Sequence, residues 1–171
     1  SSQISPKIMR AKVELTFSLE FARQSMDGRL TLVIYRTTAV SHSLWIRMNT
    51  TTLDSAVRNL KDREGTKSQY IGVWNAGVDT ETIPGLADWA ESIGASAVVW
   101  TDLPSKFDGR NGIAPSQEEA IDYLTSLDPA SRNRAERYVR HAPKQIRTPY
   151  RDAFEVEFGW VPIEGAPHHE E

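Results

Sequence analysis

The stretch RNLKDREGTKSQY, Arg58 to Tyr70, puts a carboxylate where an apolar side chain belongs. Glu64 follows Leu60 by four residues, Val57 by seven and Leu53 by eleven. That spacing aligns side chains on one face of a helix, so the glutamate falls on the face that should be buried. Burial disfavours the charged form of a carboxyl group, and so does the negative end of the helix dipole. A carboxyl group so placed moves toward neutral proton affinity, where it serves as base in one form and proton donor in the other. The alternative is a helix that frays at Arg63 and leaves Glu64 in solvent.

Other residues that could do chemistry are scattered. Arg137, Arg140, Lys144, Arg147 and Arg151 recur at three- and four-residue steps near the C-terminus, a candidate basic stripe for an acidic partner. Pro143 interrupts that stripe, and Glu136 and Asp152 dilute it, which reads as a solvated or ion-paired face. His168 and His169 beside Glu170 and Glu171 read as tail rather than metal ligands, and His42 and His141 have no partner at ligand spacing. Metal and cofactor are both expected to be absent. Asp27-Gly28-Arg29 and Asp108-Gly109-Arg110 read as turns with solvated arginines, and Trp45, Trp74, Trp89 and Trp100 as core.

The elements that must position these residues follow from patterning. The chain has 171 residues, 25% charged and 39% hydrophobic, a net charge of −3 and no cysteine. Such a chain suits one domain with a core of its own, without disulfides or cysteine-ligated zinc. The charge argues against a nucleic-acid binder, and the lack of a long apolar run argues against a membrane partner and for a cytoplasmic protein. Residues 1–11 read as a disordered or truncated segment, 12–160 as the domain, and 161–171 as a disordered tail.

Strands are expected over Lys12–Ser25, Leu30–Tyr35, His42–Asn49, Ser68–Asn75 and the apolar run ASAVVWTDL, which reads as buried on both faces. A helix runs from an N-cap at Thr52 or Thr51 to a stop at Gly65, and another from Pro84 to Ile93. Pro104–Ser116 reads as loop. Three helices close the chain: Ser116–Ser126, Pro129–His141 and Pro143–Phe158. Strands mostly precede helices, which points to an α+β fold.

The order of these segments resembles the gamma-glutamylcyclotransferase-like superfamily. Ser43-Leu44-Trp45-Ile46 resembles its "GxVW" strand, Leu60-Lys61-Asp62-Arg63-Glu64-Gly65 its "LDxxEG" helix end, and Tyr70 its following tyrosine. FSLEFARQSMDGRLTLVI is similar to "PVEFARxSxDGRLTLV" of bacterial members, and VVWTDLPSKF and RYVRHAPKQIRTPYR resemble their later part. The resemblance covers nearly all of residues 15–151. It implies a small mixed or antiparallel, barrel-like sheet with flanking helices. It also implies Glu64 as catalytic acid/base, Tyr70 near the substrate, and a γ-glutamyl amine or peptide as small-molecule substrate. The reaction would be attack of the α-amine on its own γ-carbonyl, closing 5-oxoproline and expelling an amine, with one carboxyl group moving both protons.

The superfamily's N-terminal "YGS" loop, whose backbone N–H groups hold substrate, has no clear counterpart. SSQISP, with Ser2, Ile4 and Pro6, is similar only to the tail of a "GSLIWxP" version, which makes Ser2 the matching substrate-binding position. Donors of that kind are worth about 10²–10³ in rate each. The expectation is therefore either a weakly active enzyme or an inactive interaction module using the basic C-terminal helices. A sheet edge left open by a missing first strand would pair with another chain, giving a homo-oligomer.

Overall fold

The computed structural model describes residues 16–35, 41–42, 45, 47–77 and 83–163. The chain divides into two units, Ser1–Thr16 with His42–Leu103, and Phe17–Ser41 with Pro104–Glu171. Its described elements are mixed α and β, as expected. They run β1 (Thr16–Phe17), β2 (Leu19–Gln24), β3 (Leu30–Ile34), β4 (Ser41–His42), α1 (Leu53–Glu64), β5 (Ile71–Asn75), α2 (Leu86–Ser92) and β6 (Ala97–Thr101). Then follow β7 (Lys106–Phe107), β8 (Arg110–Asn111), α3 (Gln117–Ser126), α4 (Pro129–His141) and α5 (Pro149–Phe158). Among the described residues the sheets are β3-β2-β7-β8, β5-β6 and β1-β4, and none closes on itself. The described strands thus form antiparallel and mixed ladders, with no closed barrel among them.

In the first unit, α1 starts where Thr52 Oγ1 accepts the Ser55 N–H at 3.2 Å. It ends where Gly65 turns left-handed at φ 58°. There the Gly65 N–H reaches the Asp62 carbonyl and the Thr66 N–H reaches back to Lys61, so the last carbonyls are satisfied in a Schellman motif. Helix α1 packs on β5 and β6, which pair antiparallel from Ile71↔Thr101 to Asn75↔Ala97. Ala56, Leu60, Ile71, Trp74, Leu86, Trp89 and Ala90 are buried. All five residues of β6 are only half-buried, so the run expected to be covered on both faces is not. Trp45 and Trp100 are also half-buried, whereas Trp74 and Trp89 are core. Of the strand expected over His42–Asn49, His42 lies in β4 and Trp45 forms an isolated bridge, while residues 47–50 are irregular. The start expected at Ser68 is a 3-10 turn, Ser68–Tyr70, ahead of β5.

In the second unit, β2 and β3 form the expected hairpin, with Gly28 at φ 92° in the turn. The register slips between Phe21 and Arg23, a bulge at Ala22. The stretch expected to be loop holds a second hairpin, β7-β8, turned by Asp108 and Gly109 at φ 52° and 74°. Two successive positive φ values make the tight turn that suits a right-twisted ribbon. Its strands are two residues each, too short to leave a period in the sequence. Ser116, Asp128 and Thr148 cap α3, α4 and α5 with side-chain oxygens, and Pro129 and Pro149 open the last two. The third helix therefore begins at Pro149; residues 143–148 are a turn after α4 rather than its continuation. Phe21, Leu30, Leu124, Val139, Phe154 and Trp160 anchor the core of this unit.

Candidate functional site

Glu64 is the last residue of α1, one turn beyond Leu60, the final buried position of its stripe. It keeps the inward azimuth, but the Schellman turn takes the chain away immediately after it, so the stripe outruns what it covers. Its side chain is 39% exposed, and Oε1 accepts from Arg63 Nε at 3.1 Å. The expected dry, inward-facing carboxylate is corrected to an exposed, ion-paired one. At this exposure such a pair contributes little, about 0–1 kcal/mol.

Tyr70 ends the 3-10 turn and is half-buried. Its backbone fixes it on both sides, since its N–H donates to the Lys67 carbonyl at 2.9 Å and its carbonyl accepts from Asp102 N–H at 2.7 Å. No hydrogen bond joins its hydroxyl to Glu64. Ser2 and the histidine tail lie outside the described residues, as do Ser43, Leu44 and Ile46 of the strand motif.

Folding engages three of the five residues of the basic stripe and leaves Arg137 exposed. Arg151 is fully buried. Arg140 pairs with Glu136 at 3.0 Å and donates to the Val161 carbonyl at 3.0 Å. Arg147 pairs with Asp152 and, at 3.0 Å, with Glu155, whose hydrogen bond holds its proton more tightly against the opposing pull of burial. Arg29, expected to be solvated, pairs with Asp27 at 2.9 Å and lies 5.3 Å from the Tyr138 ring centroid.

The buried polar chemistry lies instead in the second unit, at the start of α5. Glu20 has no exposed surface. Its Oε1 accepts from the Thr148 hydroxyl at 2.7 Å and from the Phe21 N–H at 2.8 Å, and Oε2 accepts from the Tyr150 N–H at 3.3 Å. Burial raises its pKa above the ordinary 4.5, and these three donors only partly offset that. Burial, then the neighbouring Glu20 charge, pushes the Tyr150 hydroxyl up to about 12, and that hydroxyl donates to the Pro115 carbonyl. Arg151 sends Nη1 to the carbonyls of Pro143 (2.7 Å) and Ile146 (2.9 Å), and Nη2 to those of Val139 (3.0 Å) and Ala142 (2.8 Å). Burial lowers its proton affinity, but four carbonyl acceptors hold it in place.

Sequence patterning missed both residues. Glu20 alternates with Leu19 and Phe21, so it reads as an outward strand position, yet the start of α5 covers that face. Arg151 reads as one more surface cation. The signal that would have found them is the Thr-Pro pair at 148–149, which fixes a helix start next to both. Comparison of the chain with known protein families, curated proteins and solved structures gives no match.

Proposed function

We propose that this chain is a gamma-glutamylcyclotransferase-like protein that binds γ-glutamyl compounds and converts them to 5-oxoproline weakly or not at all. The sequence resemblance supplies the class of ligand and the finer fold assignment. The observation that carries the weak or absent turnover is Glu64 itself, exposed at the end of α1 and engaged by Arg63. A carboxyl group that is to accept a proton from the substrate ammonium and return it to the leaving amine depends on burial for that proton affinity. Against a role for the basic C-terminal helices in binding, Arg140 and Arg147 are ion-paired and Arg151 is buried.

The enzymatic reading keeps one observation in its favour: α1 packs against the 3-10 turn that bears Tyr70, so the two matched positions stand on neighbouring elements. No helix among the described residues is long and apolar enough to cross a membrane. Fold likeness alone never fixes an activity. The test is 5-oxoproline release from a panel of γ-glutamyl amino acids and amines, with binding of the same compounds followed calorimetrically. The expected result is binding without release above background, identical in Glu64→Gln. Efficient release that Glu64→Gln abolishes would overturn the reading of weak or absent turnover, and no binding by any compound would overturn the ligand class.

A further inference from the structure

A groove of about 350 Å³ opens on the second unit, lined by Phe107 of β7 and by Glu119, Asp122, Tyr123 and Ser126 of α3. Phe107 and Tyr123 meet edge to face, with centroids 6.0 Å apart at 86°. The donors of this lining are already spent within the fold. The Tyr123 hydroxyl donates to the Gly28 carbonyl at 3.0 Å, and the Ser126 hydroxyl donates to the Tyr123 carbonyl at 2.7 Å. Glu119 Oε1 accepts from the Ser116 N–H at 3.0 Å, which leaves its second oxygen open. The Asp122 carboxylate makes no hydrogen bond or ion pair among the described residues, and no lysine, arginine or histidine lines the groove.

What the lining offers a ligand is therefore acceptor capacity, two negative charges and two aromatic rings. An anion finds neither a donor nor a cation here. A hard metal ion wants six or more oxygen ligands, and two of the five lining side chains are hydrocarbon or phenolic rings. An ammonium ion carried on an apolar body matches all three features, because aromatic rings attract organic cations as well as covering apolar surface. We propose that this groove binds a small organic ammonium ion, with its head at Asp122 and Glu119 and its body against Phe107 and Tyr123. The inference rests on charge complementarity within this unit and is independent of Glu64 and of the γ-glutamyl reading.

The probe is choline, compared with its neutral isostere 3,3-dimethylbutan-1-ol, titrated into the full chain at constant ionic strength. Backbone and aromatic-ring NMR shifts report the site. The expected result is saturable choline shifts confined to the five lining residues and their neighbours, with Kd roughly 1–10 mM for so open a site. Asp122→Asn should weaken binding about 3–10-fold. Glu118→Gln, on the same helix and outside the lining, should leave it unchanged. Phe107→Leu loses a ring and should bind more weakly. Equal binding of the neutral isostere, equal loss in Glu118→Gln, or no saturable shift at about 50 mM choline would each overturn the proposal.

Discussion

Arg151 offers the sharpest test of how the second unit is held together. Its guanidinium is buried without a carboxylate partner among the described residues, and its four donated hydrogen bonds end on carbonyls at 139, 142, 143 and 146. Two of those carbonyls belong to the C-terminal end of α4, where the intrahelical partners have run out, and two to the turn that follows. Hydrogen bonds to a charged group contribute about 1.5–3 kcal/mol each, already net of exchange with water, so four would reach roughly 6–12 kcal/mol if they added in full. Four bonds made by one guanidinium do not add in full, because they share its charge and its desolvation. Arg151→Met keeps most of the volume, removes every donor and removes the buried charge. The net loss should be about 3–5 kcal/mol, a large part of the total stability of an ordinary domain. Arg151→Lys retains a charge but presents a compact ammonium that cannot span four carbonyls, and about 2–3 kcal/mol should go. Trp160 is the only tryptophan of this unit, so urea unfolding followed by fluorine NMR of 5-fluorotryptophan isolates it from the other four. If Arg151→Met moved the Trp160 transition by less than about 0.5 kcal/mol, the carbonyls would have other partners and the reasoning would fail.

Two further predictions follow from buried contacts. Because burial raises the Glu20 pKa, its contribution to stability is fully present below the ordinary 4.5 and is lost as pH rises through the raised folded value. Urea midpoints should therefore fall with rising pH across that window in the unaltered chain. In Glu20→Gln this part of the slope should vanish; an unchanged slope would mean that another group titrates. In the first unit, a Cβ on Gly72 would lie 2.1 Å from the Trp100 indole, so Gly72→Ala should displace that ring and cost about 1–3 kcal/mol. The Trp100 fluorine resonance should shift while Trp160 does not, and an unmoved Trp100 would contradict the contact.

Local signals carried most of the element list. Thr52, Ser116, Asp128 and Thr148 are side chains that satisfy helix N-termini wherever they stand, and Gly65 and Gly28 take backbone angles that other residues resist. Those preferences act over three or four residues, which is why α1, α3, α4 and the β2-β3 hairpin were legible. The β7-β8 hairpin was not, because two-residue strands have no period and exist through pairing with β2 and each other.

The candidate site divides in the same way. Helical spacing fixed the azimuth of Glu64, but whether anything covers that azimuth depends on how far the neighbouring sheet extends, and the helix runs past its cover. Alternation likewise set Glu20 opposite Phe21, yet the start of α5, well over a hundred residues later, decided that both faces of β2 are buried there. The arginines near the C-terminus were visible as charge; only the turn between α4 and α5 made one of them the internal cap of a helix end. The sequence by itself determined which way each side chain leaves its own strand or helix, because that depends on local backbone geometry. The tertiary structure alone decided which of those directions meet water, since burial belongs to pairs of segments brought together from distant parts of the chain.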